Sequence, residues 1–251
     1  MPDNRPTPSE DDGWRPNLGD LRARLDEIDD KIHDLLIDRA RVVEGVARSG
    51  KTAAFRPGRE ASILRRLVAR HTGKLPARTL VRMWREMLAG TTGMQSPVTV
   101  AVAGPDAVAA MAREHFGFLT PIDAKASVAE ALDTVRRGLA TVAVLPFPPD
   151  AATWAALTAA TPRLYVIARL PFWTARPAHV PMADAIVIAT TAPDASGDDR
   201  SFIAHPGALP VLAMHGAIAE VAGLIAEDAT GLPEGAIVLG GYAVPIAGDT
   251  P

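Results

Sequence analysis

The sequence predicts an N-terminal all-α domain of three helices, followed by an α/β domain with a small α+β appendage. Three observations predict it. From Leu18 the apolar residues Leu18, Leu21, Leu25, Ile28, Ile32, Leu35, Val42 and Val46 follow spacings of three and four, interrupted only by Arg39. After Pro97 the texture changes to short β-rich apolar runs separated by helical stretches. The composition, 48% hydrophobic and 22% charged over 251 residues, is that of a chain with a real core.

The elements follow in order. Residues 1–17, rich in Pro, Asp and Glu, read as a disordered lead-in. The long amphipathic helix should end at Ser49-Gly50, and its seam is too long to be buried within so small a domain, which asks for a partner chain. Pro57 can open a second helix carrying Ile63, Leu64 and Leu67 and stopping near Gly73. A third helix after Pro76 places Leu80, Trp84, Met87, Leu88, Thr91 and Gln95 on one face, with Gly90 and Gly93 weakening its end. These helices make a domain of residues 18–96. Residues 97–175 then read as strands at 99–103, 141–145 and 164–168 alternating with helices near 106–116, 128–138 and 151–160. Residues 176–251 read as the appendage, with a strand at 185–190, a helix at 211–228 and a strand near 236–246.

Composition excludes several classes of function. No cysteine is present, so disulfides, thiol catalysis and iron–sulfur ligation are ruled out, and six scattered histidines without an HExxH pattern argue against a metal site. No apolar run is long enough for a membrane-spanning helix, and the polar start lacks a secretory signal, so the expectation is a cytoplasmic protein without a membrane partner. The net charge of −3 divides into +4 over residues 1–96 and −7 over the rest. The basic stretch 39–85 has few aromatic residues, so a small anionic ligand is expected there in preference to nucleic acid. Gly45–Thr52 matches GxxxxGK[ST] literally, but it ends a helix where a phosphate-binding loop must follow a strand, so the match reads as accidental.

Arg39 interrupts an otherwise apolar seam. It either sets register or faces an anion held inside the bundle, because a buried guanidinium needs a partner. Arg22 lies 17 positions earlier, about 25 Å away along one helix, so both can grip one small molecule only if an antiparallel partner brings Arg22 across. Arg59-Glu60 opens the second helix, where Glu60 either is a solvated first-turn acid or faces the pocket. Thr91 and Gln95, one turn apart, are either a fraying helix end or a hydroxyl and an amide for the same pocket. Such a pocket would hold a dianion in one conformation and stabilise developing charge.

The stretches LGDLRARLDEIDDKIHDLLIDR, FRPGREASILRRL and LVRMWREMLAGTTGMQ resemble the three helices of the all-helical class of chorismate mutase, as found at the N-terminus of bifunctional chorismate mutase–prephenate dehydratases. The resemblance implies an intertwined homodimer with shared active sites that isomerises chorismate to prephenate without cofactor or metal, in phenylalanine and tyrosine biosynthesis. It implies that Arg39 and the partner subunit's Arg22 clamp two carboxylates, that Glu60 with Arg59 beside it binds the ring hydroxyl, that Gln95 reaches the ether oxygen and that Thr91 reaches a carboxylate. The family's lysine at the ether oxygen falls on Gly50, so Lys51, or in its place Arg48, takes that role; the family's acidic residue before Arg59 is Arg56 here. VTVAVAGPDAVAAMAREHFG and SVAEALDTVRRGLATVAVLPFP are distantly similar to the first lobe of prephenate dehydratase, without its Glu-Asn-Ser loop or Thr-Arg-Phe triplet. ADAIVIATTAPDASGDDRSFIA resembles an ACT regulatory domain. Residues 97–251 are therefore expected to be non-catalytic. Two other functions stay open on this reading: a regulatory protein sensing an aromatic metabolite, and an isochorismate lyase.

Overall fold

The computed structural model describes residues 17–48, 55–177, 179–180 and 182–248. Residues 1–16 of the expected lead-in, the helix end at Ser49-Gly50 and Lys51 lie outside them. The chain divides into two compact units. The first consists of α1 (Leu18–Arg48), a single 31-residue helix. Its N-terminus is closed by Asn17, whose side-chain oxygen accepts the Asp20 N–H at 3.0 Å. The spaced apolar residues are laid out along the helix as the periodicity demands, and all are exposed, from Ile28 at 39% to Leu35 at 68%. So large an apolar stripe in water is unusual for a monomer.

The second unit begins with α2 (Pro57–Ala69) and α3 (Ala77–Gln95), as the sequence predicts. It continues through β1 (Val100–Val102), α4 (Asp106–Phe116), β2 (Ile122–Ala124), α5 (Val128–Arg136), β3 (Val142–Pro146), α6 (Ala151–Thr158) and β4 (Tyr165–Leu170), then β5 (Ala185–Ala189), β6 (Asp199–Ala204), β7 (Val211–His215), β8 (Ile218–Ala222) and β9 (Ile237–Ala243). One nine-stranded sheet runs in the order β2-β1-β3-β5-β4-β9-β6-β8-β7. Strands β1, β2 and β3 are parallel, joined by crossovers through α4 and α5, whereas β5 enters antiparallel between β3 and β4.

α2 and α3 belong to the same compact unit as the sheet, and β5 lies between β3 and β4. Two expectations are corrected. The α+β, ACT-like appendage is instead five strands of the shared sheet, with no helix among its described residues. The helix expected at 211–228 is the β7–β8 hairpin. Gly216, at φ 65°, makes its turn in a conformation that other residues reach only with strain, and Gly223, at φ 81°, ends β8.

Alternation along the strands builds two cores. Ala101, Ala103, Ala143 and Leu145 face α5 and α6, where Leu132, Trp154 and Leu157 cover them. Val100, Val102, Val142 and Val144 face α4 through Val108, Met111 and Phe116. A smaller cluster of Ala61, Leu64, Val81 and Phe172 joins α2 and α3 to the segment after β4.

Candidate active site

On α1, Arg22 is exposed and Arg39 is half-buried. Burial lowers the Arg39 guanidinium pKa below its ordinary value. An arginine so placed favours an anionic partner, since a counter-charge offsets its lost hydration.

The start of α2 is fixed from far along the chain. The Asp194 carboxylate accepts the Gly58 N–H at 2.9 Å and the Arg59 N–H at 3.1 Å, and it pairs with Arg56 at 3.3 Å. It satisfies two of the donors a helix start leaves open and places negative charge at the positive end of the dipole. The chain passes so close that a Cβ on Gly58 would lie 2.0 Å from the Asp194 carbonyl oxygen. Arg65, farther along α2, donates to the Ser196 hydroxyl at 2.8 Å and to the Asp198 carbonyl at 2.9 Å.

This clamp turns Arg59 and Glu60 apart. The Arg59 side chain is exposed, while Glu60 is buried and its Oε2 accepts from Arg85 of α3 at 2.9 Å. Burial raises the Glu60 pKa and lowers that of Arg85, so desolvation outweighs mutual attraction for both partners. Glu60 Oε1 makes no hydrogen bond to the described residues. Arg85 also lies over the Phe172 ring, 5.0 Å from its centroid. His115 is buried nearby, and burial together with Arg85 pushes its pKa well below 6.5, so the ring is neutral.

The α3 helix presents two faces. Val81, Arg85, Leu88 and Thr92 point inward. Leu80, Trp84, Met87, Thr91 and Gln95 form a neighbouring half-buried face. Leu88, expected with that second group, belongs instead to the buried row with Arg85. The spacing of four, three and four from Val81 through Arg85 and Leu88 to Thr92 was its signal, since it sets an arginine in an apolar row as Arg39 is set in α1. The Thr91 hydroxyl donates to the Met87 carbonyl at 2.9 Å, and the Gln95 amide donates to the Thr91 carbonyl at 3.4 Å. Thr91 and Gln95 thus come together on one face, and Glu60 meets Arg85 on another. Asp194, 136 residues from Gly58, left no local signal.

No group of three or more metal-ligating side chains occurs among the described residues, and no described helix is long and apolar enough to cross a membrane.

Residues 21–96 match the family described as chorismate mutase type II. A bifunctional chorismate mutase/prephenate dehydratase of Stutzerimonas stutzeri is 32% identical over 137 residues, which cover 50% of this chain and 37% of that protein. Its namesake in Pseudomonas aeruginosa is 31% identical over 136 residues, with the same coverage. The chain therefore spans little more than a third of the length of these relatives. Among solved structures, a prephenate dehydratase from Streptococcus mutans is similar at 13% identity and a TM-score of 0.36, covering 59% of this chain and all of that one. A protein described as GqqA, a novel type of quorum quenching acylase, is similar at 14% identity and a TM-score of 0.38, covering 59% and 95%. Scores this low support no functional argument.

Proposed function

From a chain whose residues 21–96 carry a chorismate mutase type II domain, we propose a chorismate mutase that converts chorismate to prephenate within phenylalanine and tyrosine biosynthesis. The observation that carries the reading is the family match, which spans every residue assigned to the pocket. The uncovered seam of α1 supports the second part of the proposal, an intertwined homodimer whose antiparallel α1 helices cover each other's apolar stripes.

In this reading Arg39 and Arg22 of the partner subunit clamp the two carboxylates of chorismate with charge-assisted hydrogen bonds. Thr91 donates to one of those carboxylates. Lys51 and Gln95 meet the ether oxygen, where negative charge develops as the bond breaks. Arg59 adds positive charge beside Glu60. Glu60 receives the ring hydroxyl on Oε1, while Arg85 holds Oε2 and so fixes the carboxylate's orientation. The rearrangement is pericyclic, so the residues form no covalent intermediate. They hold the reactive conformer and stabilise charge at one oxygen, and these contributions have to supply most of the roughly 8 kcal/mol or more by which enzymes lower a barrier. Residues 97–251 act as a non-catalytic domain, since the Glu-Asn-Ser and Thr-Arg-Phe motifs of the dehydratase are missing.

The test is to incubate the purified protein with chorismate, with and without a chelator, and identify the product. Prephenate should form at the same rate in both, with no phenylpyruvate above the buffer rate at neutral pH. Chorismate that decays no faster than in buffer would contradict the proposal and favour the regulatory alternative. Isochorismate split with release of pyruvate, while chorismate is left intact, would favour the lyase.

A further inference from the structure

The second unit contains a cavity of about 360 Å³ that shares only Arg85, the ion-pair partner of Glu60, with the proposed mutase set. It lies between α3, α4 and the segment that follows β4, and its volume falls within the range of small-molecule sites. Its apolar lining includes Val81, Met111, Phe172 and Trp173.

The polar lining is unevenly matched. Arg85 is neutralised by Glu60 at 2.9 Å, and Arg176 is held by both oxygens of Glu114 at 2.7 and 2.8 Å. Arg78 and Arg82 also line the cavity, one turn apart in the first two turns of α3, and neither makes an ion pair with the described residues. The positive end of the α3 dipole adds to their charge. Deeper in, His115 lines the same cavity; it is 8% exposed, and its Nε2 has no hydrogen-bond partner among the described residues. An unpaired polar atom at that depth costs free energy unless a ligand or water reaches it.

We propose that this cavity binds a small aromatic carboxylate. The carboxylate sits on Arg78 and Arg82 at the mouth, and the ring lies against Phe172 and Trp173. Two guanidiniums one helical turn apart suit a planar two-oxygen anion, and the aromatic wall suits a flat apolar body. The site needs nothing from α1 or from a second chain, so it stands or falls apart from the mutase reading.

The experiment is calorimetric titration of the full chain with 3-phenylpropionate, with its neutral amide and with inorganic phosphate. The acid should bind saturably, one per chain, with equal affinity in wild type and in Arg39→Ala, which removes a mutase contact. It should bind at least tenfold more weakly to Arg78→Ala/Arg82→Ala, whose unfolding temperature should be unchanged because neither side chain is buried. The amide should bind at least tenfold more weakly than the acid, and phosphate more weakly still. No binding of the acid, equal binding of acid and amide, phosphate binding as tightly as the acid, or an affinity untouched by the arginine pair would each overturn the proposal. Binding abolished by Arg39→Ala would also overturn it, by placing the probe in the mutase pocket.

Discussion

Replacing Arg85 with methionine should destabilise the second unit by about 3–5 kcal/mol, the cost of removing one partner from a buried ion pair. The magnitude follows from the surroundings of Glu60. Arg85 is 5% exposed and Glu60 8%, and Arg85 is the charge that lowers the Glu60 pKa against burial and against the nearby Asp194 carboxylate. Without the guanidinium, the carboxylate must stay charged in a dry site or keep its proton. Methionine keeps an unbranched stem against Phe172, so the loss reports charge more than volume. The pH dependence carries its own sign. In the variant the folded-state pKa of Glu60 rises further above the ordinary value of 4.5, so the folded chain binds more protons than the unfolded chain between 4.5 and that raised value. Stability must therefore fall as pH rises through that window, and the deficit must shrink again in acid. Because burial outweighs attraction for both partners, the double change Glu60→Leu/Arg85→Met should restore stability to about the wild-type level or above. Denaturant unfolding at neutral pH and near pH 4.5 measures all of this. A single-variant cost below about 1 kcal/mol, or a deficit independent of pH, would contradict a buried, charge-paired Glu60.

Two further outcomes are expected. Gly58→Ala should cost at least about 2 kcal/mol in a denaturant melt, because its Cβ would drive the Asp194 backbone away and loosen the clamp on α2; wild-type stability would contradict that close approach. Lys51→Ala should lower mutase turnover far more than Arg48→Ala, since an ammonium at the ether oxygen stabilises the transition state more than the ground state; steady-state kinetics decide it, and the reverse order would put Arg48 in that role.

How much was legible in the sequence depends on where each determinant lies. The extent of α1 follows from its own spacing of three and four, and the starts of α2 and α3 follow from Pro57 and Pro76, because these signals are local. The strands β1, β3, β4, β5 and β9 were visible as apolar runs. β2 and β6 were not: in β2 Asp123 interrupts a three-residue strand, and β6 opens with Asp199-Arg200, of which Asp199 accepts the neighbouring Ser196 N–H at 2.9 Å and Arg200 pairs with the distant Glu220 at 2.6 Å. The hairpin at 211–222 reads as a helix in sequence because Val211, Met214, Ile218 and Val221 fall three and four apart, and the deciding residue is Gly216. In the candidate site, the types and positions of Arg39, Glu60, Thr91 and Gln95 could be read from helix faces. The partnership of Glu60 with Arg85 and the clamp by Asp194 could not, since both depend on how α2 packs against segments distant in sequence.

A mutase site shared between two chains can be tested by mixing two inactive variants. Arg22→Ala and Arg39→Ala homodimers should each be nearly inactive, because each loses a guanidinium from every site. When the two are unfolded and refolded together, half the dimers become mixed, and each mixed dimer has one site with both lesions and one with none. Chorismate turnover should then return to about one quarter of wild type, by counting sites in a statistical two-fold mixture. No recovery, with subunit exchange confirmed by a tag pull-down, would contradict the account and place the site within one chain.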